Sequence, residues 1–390
     1  MALRILKQRS INLNKNMQNI IIKTPKGERK IGPGQPVFII AEAGSNHDGK
    51  LEQAKELIDV AVEAGVDAVK FQLFRAAKIY PPNAGKIPTS QGKLDLYKFF
   101  KQVELPFKWL PILKKYAESR GLVFIVSPFD EKAVDELAKV CLDAYKIASP
   151  ELNHIPLLKY IAKKKKPMIM STGLSKMADV EEAIETVRNA GNEKILLLHC
   201  VSGYPALPEE YNLKVMETMQ KAFGAPVGLS DHSLDPVKIP KIAVALGANA
   251  VEKHFTINKK LPGADHSFAI EPDELKKMVK EIRQVEKWNQ TKRKKFLLSD
   301  PMHKKILGTG QKLISSSEQE LYPGDKRSIF AIKDIKRNEK LTKNNTDILR
   351  AERYLRPGIH PRYYDLVLGK KVNKIIKKNT GLQWNYLLNK

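Results

Sequence analysis

Between residues 36 and 288 the chain alternates, eight times over, a short apolar run rich in β-branched residues with a longer stretch of helical period. The apolar runs are VFIIAE (37–42), DAVKF (67–71), LVFIVS (122–127), DAYKI (143–147), PMIMS (167–171), ILLLHC (195–200), PVGLS (226–230) and AVEKH (250–254). Helical patterns between them include LEQAKELIDVAVEAG (51–65), PFKWLPILKKYAESRG (106–121), MADVEEAIETVRNAG (177–191) and VKIPKIAVALG (237–247), and EPDELKKMVKEIRQVEKWN (271–289) closes the series. Several end in Gly, which enters the left-handed region without strain and stops a helix. Eight β/α units in about 250 residues predict a closed (β/α)8 TIM barrel. A doubly wound sheet more often has five to seven strands and a Gly-rich loop after the first, and neither GxGxxG nor GxxxxGK[ST] occurs here.

The rest of the chain divides around this block. Residues 1–35 form a basic N-terminal extension, within which Met17 is as good a start as Met1. The barrel is expected over 36–290, with one long loop at 75–103 on the side that usually serves binding. Residues 291–325 are polar and aperiodic and read as a linker. Residues 326–390 return to short apolar alternations separated by turns, predicting a small, mainly β module.

The net charge of +25 invites a nucleic-acid reading. Its distribution argues otherwise. Residues 1–35 hold 8 basic and 1 acidic side chains and residues 326–390 hold 17 and 5, so the excess sits at the two ends. No zinc-finger, RNP-type or KH-type pattern accompanies it, and nucleic acid is not the expected partner. No apolar run reaches the roughly 18 residues of a membrane span. Two cysteines, Cys141 and Cys200, make no disulfide scaffold, and a reduced, cytoplasmic setting is expected.

A barrel carries its chemistry where strands meet the loops that follow them. The polar residues at those points are Glu42, Lys70, Gln72, Ser127, Lys146, Ser149, Ser171, Thr172, His199, Ser202, Ser230 to Ser233, Glu252 and His254, at least one for every strand. A single Ser or Thr there is often only an N-cap, so the weight rests on the set. Lys70 and Lys146 stand in otherwise apolar strands, where an unpaired ammonium is costly. Each pairs with a carboxylate, points outward, or joins the other in an anion site with Ser127, Ser149, Ser171 and Ser230. His232 and His254 follow neighbouring strands, with Glu42 after the next, and two imidazoles and a carboxylate so placed suit a divalent cation. His47, in the loop SNHDG, either caps or binds, and nothing marks Cys200 as a nucleophile.

The segments IIAEAGSNHDG, AGVDAVKFQLF, SPFD, AYKIASPE, MSTGL, LLHCVSGYP, VGLSDHSLDP and VEKHFT resemble, in order and spacing, the sialic acid (N-acetylneuraminate) synthase family, which includes legionaminate and pseudaminate synthases. The tail KRSIFAIKDIKRNEKLT…DLVLGKKVNKIIKKN resembles its antifreeze-like (SAF) domain. The resemblance implies condensation of phosphoenolpyruvate with an N-acyl hexosamine such as N-acetylmannosamine, giving a nine-carbon 2-keto sugar acid and phosphate, with Mn2+ or Mg2+ as cofactor. It places phosphoenolpyruvate contacts on Lys70, Ser127, Lys146, Ser149, Ser171, Ser202 and Ser230, and the metal on His232 and His254. Sugar contacts fall on Glu42, Gln72, Tyr204 and Asp265, and Glu151 matches a carboxylate for proton transfer. It further implies a domain-swapped homodimer, the SAF domain of one chain capping the barrel of the other and an Arg from it meeting the N-acyl group. In RAERYLRPGIHPRYYD, Arg356 keeps the RPG context while Arg353 lies nearer the register counted back from HPRYYD; Arg356 is preferred.

Two other readings compete. A different phosphoenolpyruvate-condensing barrel leaves the tail unexplained. A retired barrel bearing a carbohydrate- or nucleic-acid-binding basic module leaves the complete strand-end set unexplained. The choice among N-acetylmannosamine, its 6-phosphate and a diacetamido hexose falls to the loop at 75–103 and the tail.

Overall fold

The computed structural model describes residues 19–388, except 90, 91, 264 and 353, with backbone alone for 87–89 and 92. Met17 and the residues before it lie outside the described part. In chain order the strands are β1 (Ile20–Thr24), β2 (Gly27–Ile31), β3 (Phe38–Gly44), β4 (Ala68–Leu73), β5 (Lys86–Thr89), β6 (Gly92–Asp95), β7 (Val123–Pro128), β8 (Tyr145–Ile147), β9 (Met168–Ser171), β10 (Ile195–Cys200), β11 (Val227–Asp231), β12 (Ala250–His254), β13 (Arg327–Ala331) and β14 (Thr346–Arg350). Eight of them close a barrel in the order β3-β4-β7-β8-β9-β10-β11-β12, β12 pairing in parallel with β3. The expected (β/α)8 fold is present, each predicted strand lying within two residues of its expected bounds.

Alternate side chains of a strand face opposite ways, and the two faces do different work. Outward-facing Ile39, Val69, Phe124, Met170, Leu197 and Val251 pack under the helices in one continuous core. Inward-facing Phe38, Ile40, Val123, Ile125, Ile169 and Leu198 form a second core inside the barrel. Three helices that follow barrel strands, Glu131–Lys139, Ile155–Ala162 and Val215–Phe223, are not among those read from sequence, and the expected long loop at 75–103 carries a further short one, Leu96–Gln102. Seven to nine residues give barely two turns of period, too few to stand out.

The N-terminal stretch differs from the expected extension. The hairpin of β1 and β2 lies across the lower end of the barrel, and Ile20, Ile22 and Ile31 join its inner core. The stretch expected as a linker also differs: it carries the helices Gln290–Leu298 and Pro301–Leu307. The first is charged around much of its circumference and buries no residue fully, which hides its period in the sequence.

The C-terminal module pairs β13 with β14 and encloses its own core of Ile329, Ile335, Leu341, Ile348, Val367 and Leu382. It sits over the upper end of the barrel of its own chain. Fully buried Glu151, after β8, receives Arg327 Nε at 2.8 Å and Arg350 NH2 at 2.6 Å. Around this bridge, Asn153 exchanges hydrogen bonds with the Arg327 backbone, and Lys78 meets Asp347 at 2.6 Å. No helix among the described residues is long and apolar enough to cross a membrane, and Cys141 and Cys200 are free thiols.

Ile22→Ala is expected to lower stability by about 2–5 kcal/mol in equilibrium denaturation, while Ile21→Ala, on the exposed face of the same strand, changes it by no more than about 0.5 kcal/mol. Glu151→Ala leaves Arg327 buried with no carboxylate and is expected to cost about 3–5 kcal/mol, seen as earlier melting of the C-terminal module.

Candidate active site

Along the inner face of the barrel the residue type changes at one level. Phe38 and Ile40 give way to Glu42, Ala68 to Lys70 and Gln72, and Val123 and Ile125 to Ser127. Ala144 gives way to Lys146, Ile169 to Ser171, and Ala250 to Glu252 and His254. Two-residue periodicity carries one stripe from an apolar lower half to a polar upper half. The upper half opens into a cavity of about 310 Å3.

Four charges occupy the bottom of that cavity. Lys70 Nζ lies 2.7 Å from Glu42 Oε2 and 3.8 Å from Glu252 Oε1, and Lys146 Nζ lies 3.1 Å from the same Glu252 oxygen. Both lysines are therefore paired with carboxylates and also face a cavity, which joins two readings the sequence kept apart. Burial works to lower the Lys70 pKa, but Glu252 and Glu42 carry it above the usual lysine value. For Lys146 burial prevails, helped by repulsion from Lys70, and its pKa is lowered.

Hydroxyls complete the floor. Ser171 Oγ accepts from Lys146 at 2.8 Å, Ser127 Oγ accepts from Lys70 at 3.4 Å, and Ser230 donates to Glu252 at 3.4 Å. Ser149 Oγ accepts from the Gly173 amide at 3.0 Å. A Cβ on Gly173 would collide with Ser202 Oγ, Ser149 Oγ and Cys200 Sγ, so the glycine leaves the space into which these groups converge.

His232 and His254 face each other with ring centroids 5.4 Å apart. His232 Nδ1 lies 2.8 Å from the Val201 carbonyl, which leaves Nε2 as the lone-pair nitrogen of the neutral ring. His254 Nδ1 is buried with no hydrogen-bond partner among the described residues. Burial, then His232 and Lys70, push the His254 pKa well below its usual value, so it stays a neutral donor. Burial works to lower the His232 pKa, but Cys200, its Sγ 3.8 Å from His232 Nδ1, carries it above the usual value. In its neutral form His232 joins His254 as a second donor, and the pair fits a divalent cation whose other positions go to water or substrate oxygen. Glu42 does not join them, since Gln72 Nε2 donates to its Oε1 at 2.8 Å and Lys70 holds Oε2. No group of three His, Cys, Asp or Glu among the described residues is arranged to hold an ion.

Above the imidazoles, the Tyr204 ring lies 4.3 Å from His232 and 5.1 Å from Phe268. Asp265 lines the same side and accepts from Ser45 Oγ at 2.9 Å, and burial raises its pKa. Other expected residues are placed elsewhere. Glu151 does not line the cavity: it is locked between Arg327 and Arg350, which hold its pKa down against its burial. Arg356 is exposed on the C-terminal module, Arg350 lines the cavity instead, and Arg353 lies outside the described residues. Ser127 and Ser202 stand behind the lining. His199 turns outward to the Tyr211 carbonyl. His47 is buried beside Trp109, where its Nδ1 accepts from the Gly49 amide.

Three residues to which the sequence assigns no individual role matter. Glu252 shares an inner face with His254 two residues on, a signal legible in AVEKH. Arg350 ends a strand of the C-terminal module, and only the tertiary fold brings it to the barrel. Glu318, in the expected linker, accepts from the Leu174 amide at 2.7 Å and the Ser202 amide at 2.9 Å, tying that segment to the ends of β9 and β10.

Known proteins share this architecture. The spore coat polysaccharide biosynthesis protein SpsE of Bacillus subtilis is 43% identical over 363 residues, covering 92% of this chain and 96% of that protein. Its crystal structure superposes with a TM-score of 0.80 over 93% of this chain and 98% of that one. An N,N'-diacetyllegionaminic acid synthase of Legionella pneumophila is 34% identical over 369 residues, 93% of this chain and 97% of that protein. The N-acetylneuraminic acid synthetase of Leptospira borgpetersenii, solved with citrate, is 32% identical, with a TM-score of 0.62 over 77% of this chain and 96% of that one. Residues 326–388 match the SAF domain and residues 57–294 match the NeuB family. With the barrel, the module and these matches in agreement, the chain belongs to the NeuB family.

Proposed function

We propose that the chain is a nonulosonate synthase, a transferase that joins phosphoenolpyruvate to an N-acyl hexosamine and releases phosphate. The observation that carries this is the meeting of Lys70, Lys146, Ser149, Ser171 and Ser230 with His232 and His254 around one cavity. An enolpyruvate anion needs fixed cations and hydroxyls beneath it, and an aldehyde needs polarisation beside it. The family match and the synthase names of the relatives point the same way.

In the proposed reaction the lysines and serines hold the phosphate and carboxylate and present one face of the enol. Carbon 3 bonds to the aldehyde carbon, whose oxygen gains a proton. Water then bonds to carbon 2 and gives up its protons, and the C–O bond to phosphate breaks. A Mn2+ or Mg2+ ion held by His232 and His254 supplies Lewis-acid polarisation of the carbonyl when bound. Glu42, which lines the cavity with its carboxylate between Lys70 and Gln72, is the group placed to hold a proton there. Glu151 serves instead to dock the module, since its two arginines occupy it. Tyr204, Asp265 and Gln72 are left to bind sugar hydroxyls, and Arg350, in place of Arg356, to meet the acyl group. No enzyme-bound covalent intermediate is needed.

Phosphate release from phosphoenolpyruvate, with and without an N-acyl hexosamine, tests the reaction directly; release without sugar, or none with it, overturns the proposal. His232→Ala is expected to cut turnover roughly 100-fold or more, and EDTA to reproduce the loss; full activity after chelation overturns the metal's role. Because the Lys146 pKa is lowered, its positive charge is lost below the usual lysine range as pH rises. KM for phosphoenolpyruvate is therefore expected to climb on the alkaline side, and Lys146→Gln to raise KM and flatten that limb.

A further inference from the structure

We infer that Glu318, in the segment between the barrel and the C-terminal module, is a positioning residue for the His232 imidazole and acts on it through a single peptide group; the inference rests on the metal role proposed above for His232. The peptide is the one that joins Val201 to Ser202. Its N–H donates to Glu318 Oε1 at 2.9 Å, and its carbonyl oxygen lies 2.8 Å from His232 Nδ1. A trans peptide is planar, with its N–H and C=O pointing opposite ways. One rigid plate therefore spans the carboxylate and the imidazole. An anion at the N–H end polarises the plate and makes its carbonyl oxygen a stronger acceptor. That oxygen then holds the proton on Nδ1 and turns Nε2, with its lone pair, toward the place of the ion.

One oxygen of Glu318 has an ordinary local task. Oε2 accepts from the Ser315 amide and from Ser315 Oγ, both at 3.1 Å, and so closes the capping box of the short turn Ser316–Glu318. The cap makes no use of Oε1. That oxygen leaves the turn and accepts from the Leu174 amide at 2.7 Å and the Ser202 amide at 2.9 Å. All four donors are neutral, and none needs a proton in return, the surroundings of an ionised carboxylate. The turn is also pressed close to the loop it holds. A Cβ at Gly203 would stand 2.6 Å from Ser317 Oγ, and the Ser317 amide donates to Glu210 Oε1 at 2.9 Å. Fully buried and fixed at both oxygens, Glu318 has little freedom to swing away.

The two imidazoles are unequally held. His254 Nδ1 has no hydrogen-bond partner among the described residues, so the fixed member of the pair is His232. Cys200 Sγ also lies near His232 Nδ1, at 3.8 Å, but a thiol sulfur is a weak acceptor, and the carbonyl at 2.8 Å makes the better bond. The Val201 carbonyl therefore selects the tautomer, and Glu318 holds the Val201 carbonyl. Lys146 and Ser171 stand on β8 and β9 themselves and not in the loops that Oε1 ties together. Loss of Glu318 should thus reach the ion before it reaches the floor that would grip phosphoenolpyruvate.

The test reads the ion and the ring separately. Mn2+ binding without substrates is measured by calorimetry for the unaltered protein, Glu318→Ala, Glu318→Gln and Ser315→Ala. The His232 tautomer is read in the metal-free proteins from the 15N shifts of labelled histidine, assigned with His232→Asn. Glu318→Ala is expected to weaken Mn2+ binding about 10–100-fold and to mix the two tautomers, while KM for phosphoenolpyruvate stays within about threefold. Glu318→Gln keeps an oxygen for both amides but no charge; it is expected to hold the tautomer and lose affinity several-fold, and affinity equal to that of the unaltered protein overturns the role of the charge. Ser315→Ala touches only the other oxygen and is expected to leave both readouts unchanged. Unchanged affinity and tautomer in Glu318→Ala overturn the inference. So does an equal loss in Ser315→Ala, which would trace the effect to docking of the turn. If the unaltered protein binds no Mn2+, the metal role proposed above falls and the tautomer decides alone: its persistence in Glu318→Ala overturns the positioning role, and its loss upholds it.

Discussion

Two ammonium groups and two carboxylates share one oxygen-rich knot inside the barrel, and most of the upper half is arranged to tolerate it. An isolated buried charge would be neutralised or expelled. Here Glu252 bridges Lys70 and Lys146, Glu42 supports Lys70 from the other side, and Ser127, Ser171 and Ser230 take up further hydrogen-bonding positions. The cluster is close to neutral with both pairs formed. An arriving anion must draw on the lysines that the carboxylates now hold, so the two glutamates compete with it. This keeps the lysines charged and oriented before any ligand is present, the pre-organisation that electrostatic catalysis requires.

Much of this was legible in the sequence because the barrel obeys a two-residue rule. Once AVEKH and DAVKF are read as strands, Glu252 and His254 must share one face, and Lys70 must share its face with Ala68. The eight strands and the floor of the site follow from that periodicity. Legibility ends where contacts join segments far apart in the chain. Nothing local announces that Ile22 closes the barrel from below, that Glu318 reaches the amides of Leu174 and Ser202, or that Glu151 is claimed by two arginines. Arg356 was favoured for its RPG context, but neighbouring sequence does not say which arginine of a β module faces a barrel; the strand that ends in Arg350 does.

Glu151 illustrates how burial assigns a role. Its carboxyl is inaccessible, its two oxygens are each held by a guanidinium, and both guanidiniums belong to the C-terminal module. Unlike Glu42, it does not line the cavity. It is well placed to set the height of the module above the site, and through Arg350, which lines the cavity, that height also shapes the mouth.

The hairpin across the lower end has a consequence for traffic. With Ile20, Ile22 and Ile31 stoppering the barrel from below, molecules come and go through the mouth beneath the module. The vessel then behaves as a blind tube. Whatever settles against Lys146 must go in ahead of whatever rests against Tyr204, and it must come out behind it. Sequence of entry and exit is thus imposed by shape alone, and a molecule that lodged at the mouth too early would bar the way to the bottom.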